Sequence, residues 1–327
     1  MKKLVVITDV ISNPDIEKSL LKEQFTIVYL PDLNQLDRKS SLGVASVLLV
    51  WHAEISSDLM AQMPNCKLIV RYGTGYDNID LEAARARGIK VCNNPDYGVD
   101  EVADTTCALI MNAIRQISLY DTISKSEGAV WGEPSKLTLM RSSSHKLGII
   151  GAGRIGTSVA RKMKGFGLEV GIYDPYVSRG YEKAIGVKRL ESISDLQAFS
   201  SIISFHCPLT EETNGVLSKD FILNLKDNTI IINTSRGGLI RNVEDLDWGL
   251  RNSKISFLGL DVAPTEPINS LEEPIKSWLQ DESLKGRITI TPHTAYYSEQ
   301  SYEELRIKAA MNIKRFFDGH IPFNIIV

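Results

Sequence analysis

The chain has 327 residues, 43% of them hydrophobic and 24% charged, with a formal net charge of −3. That length supports two domains with their own cores, and the charge balance excludes an electrostatic grip on nucleic acid or an anionic membrane. The four cysteines (Cys66, Cys92, Cys107, Cys207) form no Cys-x-x-Cys pair and show no ligand spacing, so reduced thiols, no metal site and a cytoplasmic location are expected.

In chain order, the start (Met-Lys-Lys-Leu-Val-Val-Ile-Thr-Asp) reads as a first strand, because Asp9 interrupts the apolar run too early for a signal peptide. No apolar run approaches the ~18 residues of a membrane span. Short apolar runs predict strands over 4–8, 26–29, 47–50, 68–71 and 90–92, with amphipathic helices over 16–23 and 81–87. A helix over 100–118 follows, with Asp100, Glu101 and Asp104 at its positive end. Residues 128–144 have turn composition and read as a connection. A second series begins at Lys146, with about six strands over 147–150, 169–173, 201–205, 229–233, 257–261 and 288–291. The alternation of strands and helices predicts α/β architecture with doubly wound parallel sheets. A last helix, over 298–318, has no obvious place in the second sheet and is expected to return to the first domain.

The strand 147–150 runs into Gly151-Ala-Gly153-Arg154-Ile155-Gly156 and a helix over 157–166. The first glycine permits the tight turn, the second admits a pyrophosphate to the backbone, and the third lets helix and strand pack closely. Asp174 ends the next strand at the spacing expected for a carboxylate that bonds ribose hydroxyls. Its charge opposes a 2′-phosphate, so NAD(H) is preferred over NADP(H). Arg179, five residues on, is the cation that could offset it.

Three later segments carry the chemistry. Arg236 follows the strand 229–233, Glu266 lies in Asp261-Val-Ala-Pro-Thr-Glu-Pro267, and His293 lies in Thr-Pro-His-Thr-Ala. A cation, a carboxylate and an imidazole are the parts that hold a 2-oxo acid and move a proton at its oxygen. All follow strand ends, where open α/β sheets bind ligands. Cys207, Pro208, Thr213, Thr234 and Asp261 share that edge, with Thr106 on the long helix. With Gly151, Gly153, Arg154, Ile155, Gly156 and Asp174 they are the cofactor-binding candidates.

With these segments in view, the chain resembles the D-isomer-specific 2-hydroxyacid dehydrogenases over essentially its whole length. Within them it is similar to the C-terminal binding protein branch, through Arg71-Tyr-Gly-Thr-Gly-Tyr-Asp-Asn-Ile-Asp80, Val91-Cys-Asn93, Glu101-Val-Ala-Asp104 and Thr291-Pro-His-Thr-Ala-Tyr-Tyr-Ser-Glu-Gln300. The resemblance implies that Arg236 binds the substrate carboxylate and carbonyl, that His293 is the general acid/base, and that Glu266 orients His293. It also implies a flavodoxin-like substrate domain built from both termini (1–98 plus 297–327), an inserted Rossmann NAD-binding domain (99–296), and a homodimer. Substrate-side candidates are Arg71, Tyr72, Gly73, Thr74, Gly75, His52 and Tyr296, the last standing where a tryptophan is usual in that branch. Arg71 beside Arg236 points to a second anionic group on the acid.

The leading expectation is an NAD-dependent dehydrogenase interconverting a 2-oxo acid and a D-2-hydroxy acid. The alternative is an NAD(H)-sensing binding protein, because the branch includes transcriptional corepressors. Those carry extended tails, whereas this chain ends at Val327, so the enzyme is the stronger reading.

Overall fold

In the computed structural model, residues 2–31, 38–126, 129, 131–132, 139–266 and 274–327 are described. The chain divides into two compact units, Met1–Gly98 with Tyr297–Val327, and Val99–Tyr296.

The first unit holds five parallel strands in the order β2-β1-β3-β4-β5. They are β1 (Lys3–Ile7), β2 (Phe25–Tyr29), β3 (Ala45–Val50), β4 (Leu68–Arg71) and β5 (Lys90–Cys92). Both faces are covered, so β3 and β4 are near-continuous apolar runs. The order reverses between β1 and β3, which places the loops after these strands at a topological switch point. On one face, α1 (Asp15–Leu21) packs against the terminal helix α13 (Glu299–Phe317), which also lies on β4. There Arg306 donates from Nε (3.0 Å) and Nη2 (2.7 Å) to Glu17, whose side chain is fully buried, and Tyr72 Oη donates to the same carboxylate at 2.9 Å.

The second unit holds seven parallel strands in the order β12-β11-β10-β9-β6-β7-β8. They are β6 (Lys146–Ile150), β7 (Glu169–Tyr173), β8 (Lys188–Arg189), β9 (Ile202–Phe205), β10 (Thr229–Asn233), β11 (Ile255–Leu260) and β12 (Ile288–Ile290). Alternate side chains of one strand serve opposite layers. Ile230 and Ile232 pack with α5 (Val99–Arg115) and α7 (Arg154–Gly165), while Ile231 packs with α9 (Ile193–Phe199) and α11 (Val243–Arg251). The sheet has one strand more than the sequence suggests: β8 is two residues long, too short for a periodic signal.

The helix expected over 100–118 is broken. Gln116 takes a left-handed backbone (φ 54°), after which α6 (Ile117–Ser124) starts in a new direction. Asn112 causes the break by accepting from both the backbone N–H (2.9 Å) and hydroxyl (3.0 Å) of Ser118. The expected connection over 128–144 falls largely outside the described residues. Among the described residues, no helix is long and apolar enough to cross a membrane, and no group of His, Cys, Asp or Glu side chains could hold a metal ion.

Candidate active site

In the second unit the reversal of strand order falls between β6 and β9, and the glycine turn sits there. Gly151 has φ 93°, and a Cβ on it would stand 2.6 Å from the backbone nitrogen of Cys207. A Cβ on Gly156 would stand 2.0 Å from the carbonyl oxygen of Gly151, so helix α7 and the turn meet without a side chain between them. Around Gly153, by contrast, a Cβ would meet nothing within 4 Å. This open backbone precedes the twelve-residue α7, whose N-terminus attracts anions. A dinucleotide's pyrophosphate fits this cradle, with Arg154 and Ile155 opening the helix behind it.

Asp174 follows β7 and accepts from the backbone N–H groups of Ala152 and Tyr176, both at 2.8 Å. Each oxygen keeps a lone pair for a ribose hydroxyl. Arg179 is held by Glu191 through two hydrogen bonds (3.0 and 3.2 Å), which occupy the fork that could otherwise turn to Asp174.

The proton-transfer candidates arise from β10, β11 and β12. Arg236 donates from Nη1 to its neighbour Ser235 (2.7 Å), and Asn233 Nδ2 donates to the Arg236 carbonyl (2.9 Å). Gly237 is required next, because a Cβ there would stand 1.8 Å from the Ala263 carbonyl oxygen. Asp261, at the end of β11, accepts from Thr291 Oγ1 (2.6 Å) and from the N–H groups of Thr294 and Ala295 (both 3.0 Å), while its own carbonyl accepts from His293 N–H (2.8 Å). Burial raises its carboxyl above the ordinary value, against the pull of these bonds. The loop so held carries His293 at φ 54°, a left-handed backbone uncommon outside glycine. Its Nδ1 lies 2.7 Å from Glu266 Oε2, both side chains being about one-third exposed. Burial by itself would raise the Glu266 carboxyl; the His293 hydrogen bond and charge, the Ala263 N–H and the Arg236 charge together hold it below the ordinary value. An ionised Glu266 puts the proton on Nδ1 and leaves Nε2 as the exchanging nitrogen.

Several of the sequence candidates are engaged within the protein. Thr106 is fully buried, with its hydroxyl 2.7 Å from the Val102 carbonyl and 2.8 Å from Thr234 Oγ1. Thr213 donates to the Pro208 carbonyl (2.6 Å), and Cys207 is buried. Asp261 spends its carboxylate on the His293 loop.

In the first unit the loop after β4 carries Arg71 to Gly75. Tyr72 turns inward: its ring is buried with the hydroxyl on Glu17, and its N–H donates to the Val50 carbonyl (2.8 Å). Gly73, Thr74 and Gly75 are left to offer backbone N–H groups. Arg71 folds across Gly73, where a Cβ would stand 1.9 Å from Nη1. Three groups that sequence reasoning missed hold these loops. Asp9 accepts from the consecutive N–H groups of Trp51 (2.8 Å), His52 and Ala53 (3.0 Å), fixing the His52 loop. Asn94 donates to the carbonyls of Tyr72 (2.9 Å) and Arg71 (3.3 Å), and Asn93 donates to that of Thr74 (2.5 Å). A lone Asp or Asn at a strand end carries no motif, so only the pairing of parallel strands reveals these contacts. Tyr296, half-buried, is the last residue of the second unit.

The family model for the NAD-binding domain of the D-isomer specific 2-hydroxyacid dehydrogenases matches residues 107–295. The chain belongs to that family, and its seven-stranded sheet is the family's NAD-binding domain. It is 32% identical over 313 residues to C-terminal-binding protein 1 of Caenorhabditis elegans, covering 94% of this chain and 42% of that protein. It is 30% identical over 317 residues to D-3-phosphoglycerate dehydrogenase of Mycobacterium leprae, covering 97% of this chain and 57% of that one. The chain thus spans about half the length of these relatives. Among solved structures, D-lactate dehydrogenase from Aquifex aeolicus, complexed with NAD and lactic acid, has a TM-score of 0.88 at 30% identity and covers 99% of both chains.

Proposed function

We propose that the protein is an NAD-dependent dehydrogenase interconverting a 2-oxo acid and a D-2-hydroxy acid. The observation that carries this reading is the 2.7 Å contact of His293 Nδ1 with Glu266, in a loop anchored by Asp261 next to the strand end bearing Arg236. When bound, NAD(H) supplies or takes up the hydride. In reduction, Arg236 stabilises the negative charge that grows on the carbonyl oxygen, and His293 Nε2 gives it a proton. In oxidation the same nitrogen starts neutral and takes the hydroxyl proton. Glu266 is a positioning residue that sets the tautomer. Gly73, Thr74 and Gly75 offer N–H groups to the substrate carboxylate, and Arg71 answers a second anionic group. The catalysis of a Mycobacterium leprae relative on a phosphorylated acid, as its name states, agrees with that last role.

Turnover with NADH over a panel of 2-oxo acids tests the reading. Reduction of at least one acid is expected, abolished by His293→Gln with NADH binding retained. Nucleotide binding without turnover on any acid would favour a sensing protein instead. Arg71→Ala should weaken kcat/KM far more for an acid with a second anionic group than for its neutral analogue. NAD(H) is the preferred cofactor because Asp174 faces the glycine turn while Arg179 is held by Glu191; Asp174→Ala should narrow the ratio of NADH to NADPH efficiency. The chain is a homodimer in this reading, with the apolar helix α6, none of whose residues is buried, as part of the interface. Light scattering after size exclusion would read the mass.

A further inference from the structure

The opposite edge of the second unit's sheet carries a basic cavity that the dehydrogenase reading does not use. Its volume is about 430 Å³, within the range of small-molecule sites. It opens at the amino ends of β6 and β8, beside the end of α9 and the turn bearing Lys226. Lys146 begins β6 and Gly151 follows its end, so the cavity lies about 16 Å from the glycine turn at ~3.3 Å per residue.

Register brings the charges together. Lys146 pairs with Glu169 and Gly171 pairs with Lys188, so with the two-residue repeat Lys146 and Lys188 project from the same face of the sheet. Glycine at 148 and 171 lets α9 settle onto that face: a Cβ on Gly148 would stand 2.0 Å from Ser200 Oγ, and one on Gly171 3.0 Å from the Phe199 ring. Phe199 is thereby brought between the lysines, and both ammonium groups lie 5.2 Å from its ring centroid. Lys226 adds a third, donating to the Phe199 carbonyl at 2.9 Å. The negative end of α9 accounts for Lys226, and the cross-strand pair with Glu169 at 3.0 Å accounts for Lys146. Lys188 faces the Phe199 ring and, among the described residues, no carboxylate. Of the lining carboxylates, Glu191 is engaged by Arg179 and Arg189, which leaves Asp195 at the rim.

We propose that Lys146, Lys188 and Lys226 around Phe199 form a second ligand site, for a small dianion carrying a phosphoryl group or two carboxylates. Ammonium groups bind such anions as point charges without the planar geometry that arginine demands. The apolar wall of Phe199 and Ala198 would face the ligand's carbon skeleton.

The test is calorimetric titration of the full chain saturated with NAD, which fills the glycine turn. Pyrophosphate, malonate and acetate are titrated separately into the wild type, Lys188→Gln and Arg236→Gln. Tight binding of pyrophosphate alone would identify a phosphoryl site, and binding of both pyrophosphate and malonate a site for paired charges; acetate should not bind, and failure of both polyanions to bind would overturn the proposal. Lys188→Gln should weaken the dianion about tenfold, the loss of one charge-assisted contact, while Arg236→Gln leaves it unchanged. A Lys226→Gln variant repeats the test from a second side. Equal affinity in the wild type and Lys188→Gln, or binding lost in Arg236→Gln, would overturn the proposal. So would acetate binding as tightly as the dianions. None of these readouts depends on turnover, so the failure of this site is separable from the failure of the dehydrogenase reading.

Discussion

His293 holds a left-handed backbone, with φ 54°, while its imidazole meets Glu266 at 2.7 Å. Strain of this kind persists where the surroundings over-determine it, and here Asp261 does so through Thr291, Thr294 and Ala295. Glu266→Gln keeps the shape but loses the charge that fixes the tautomer. We expect kcat to fall about 10²–10⁴-fold with NADH affinity unchanged, measured by stopped-flow hydride transfer and fluorescence titration. In the proposed reaction, reduction needs a protonated imidazole at 293 and oxidation a neutral one, so reduction should weaken and oxidation strengthen as pH rises. Identical profiles in both directions would count against His293. At this scale the sequence was most legible where a motif states a chemical requirement. Arg236, Glu266 and His293 could be picked as candidates from residue type and place, and the structure brings Glu266 to His293; the glycines could be picked from the turn they permit. Asp9 and Asn94 could not, because their work is to accept or donate to backbone several strands away. The inward turn of Tyr72 to Glu17 was not legible either, because it depends on a carboxylate 55 residues away.

Elements explain how such residues come to share an edge. The strands were legible because both sheets are buried on two faces, which writes them as apolar runs; β8 and the break at Gln116 were not, since two residues have no period and the break depends on Asn112 reaching Ser118. A larger consequence lies in α13 and the chain end that follows it. Asn312 on α13 is fully buried, donates to Asn94 Oδ1 (3.1 Å) and accepts from Phe323 N–H (2.8 Å), while Asn324 bonds Asn93. Through Asn94 and Asn93 this network reaches the carbonyls of Arg71, Tyr72 and Thr74. A buried network with one member removed leaves its partners unsatisfied, so the loop should loosen. If the proposed dehydrogenase reading holds, Asn312→Leu is expected to raise KM for the 2-oxo acid several-fold, with NADH affinity and the pH profile of kcat retained. A fall in NADH affinity of the same size would mean general destabilisation instead.

At the scale of the molecule, each unit has an ionisable group held away from water, Arg306 nearly buried and His206 partly so, and the two respond to different perturbations. In the first, Arg306 faces Glu17 and Asp15 (2.6 Å) with its side chain 8% exposed. Arg306→Met strands the fully buried Glu17 carboxylate and should cost about 3–5 kcal/mol, read by chemical denaturation with a tryptophan signal from Trp51. In the second, burial pushes the His206 imidazole down to about 3, and its Nε2 lies 2.8 Å from Ser204 Oγ. The unfolded chain protonates this histidine near 6.5. Between those values the unfolded state binds the extra proton, so stability must rise with pH across the window and be lost as pH falls from about 6.5 toward 3. His206→Gln has nothing to protonate. Its melting temperature should therefore fall less steeply than that of the wild type over pH 6.5 to 4, whatever its value at pH 8. Parallel slopes for His206→Gln and the wild type would show that the imidazole is hydrated and protonated in the folded chain. The strand end beside Cys207 would then be open to water, and a neutral histidine would not be part of that edge.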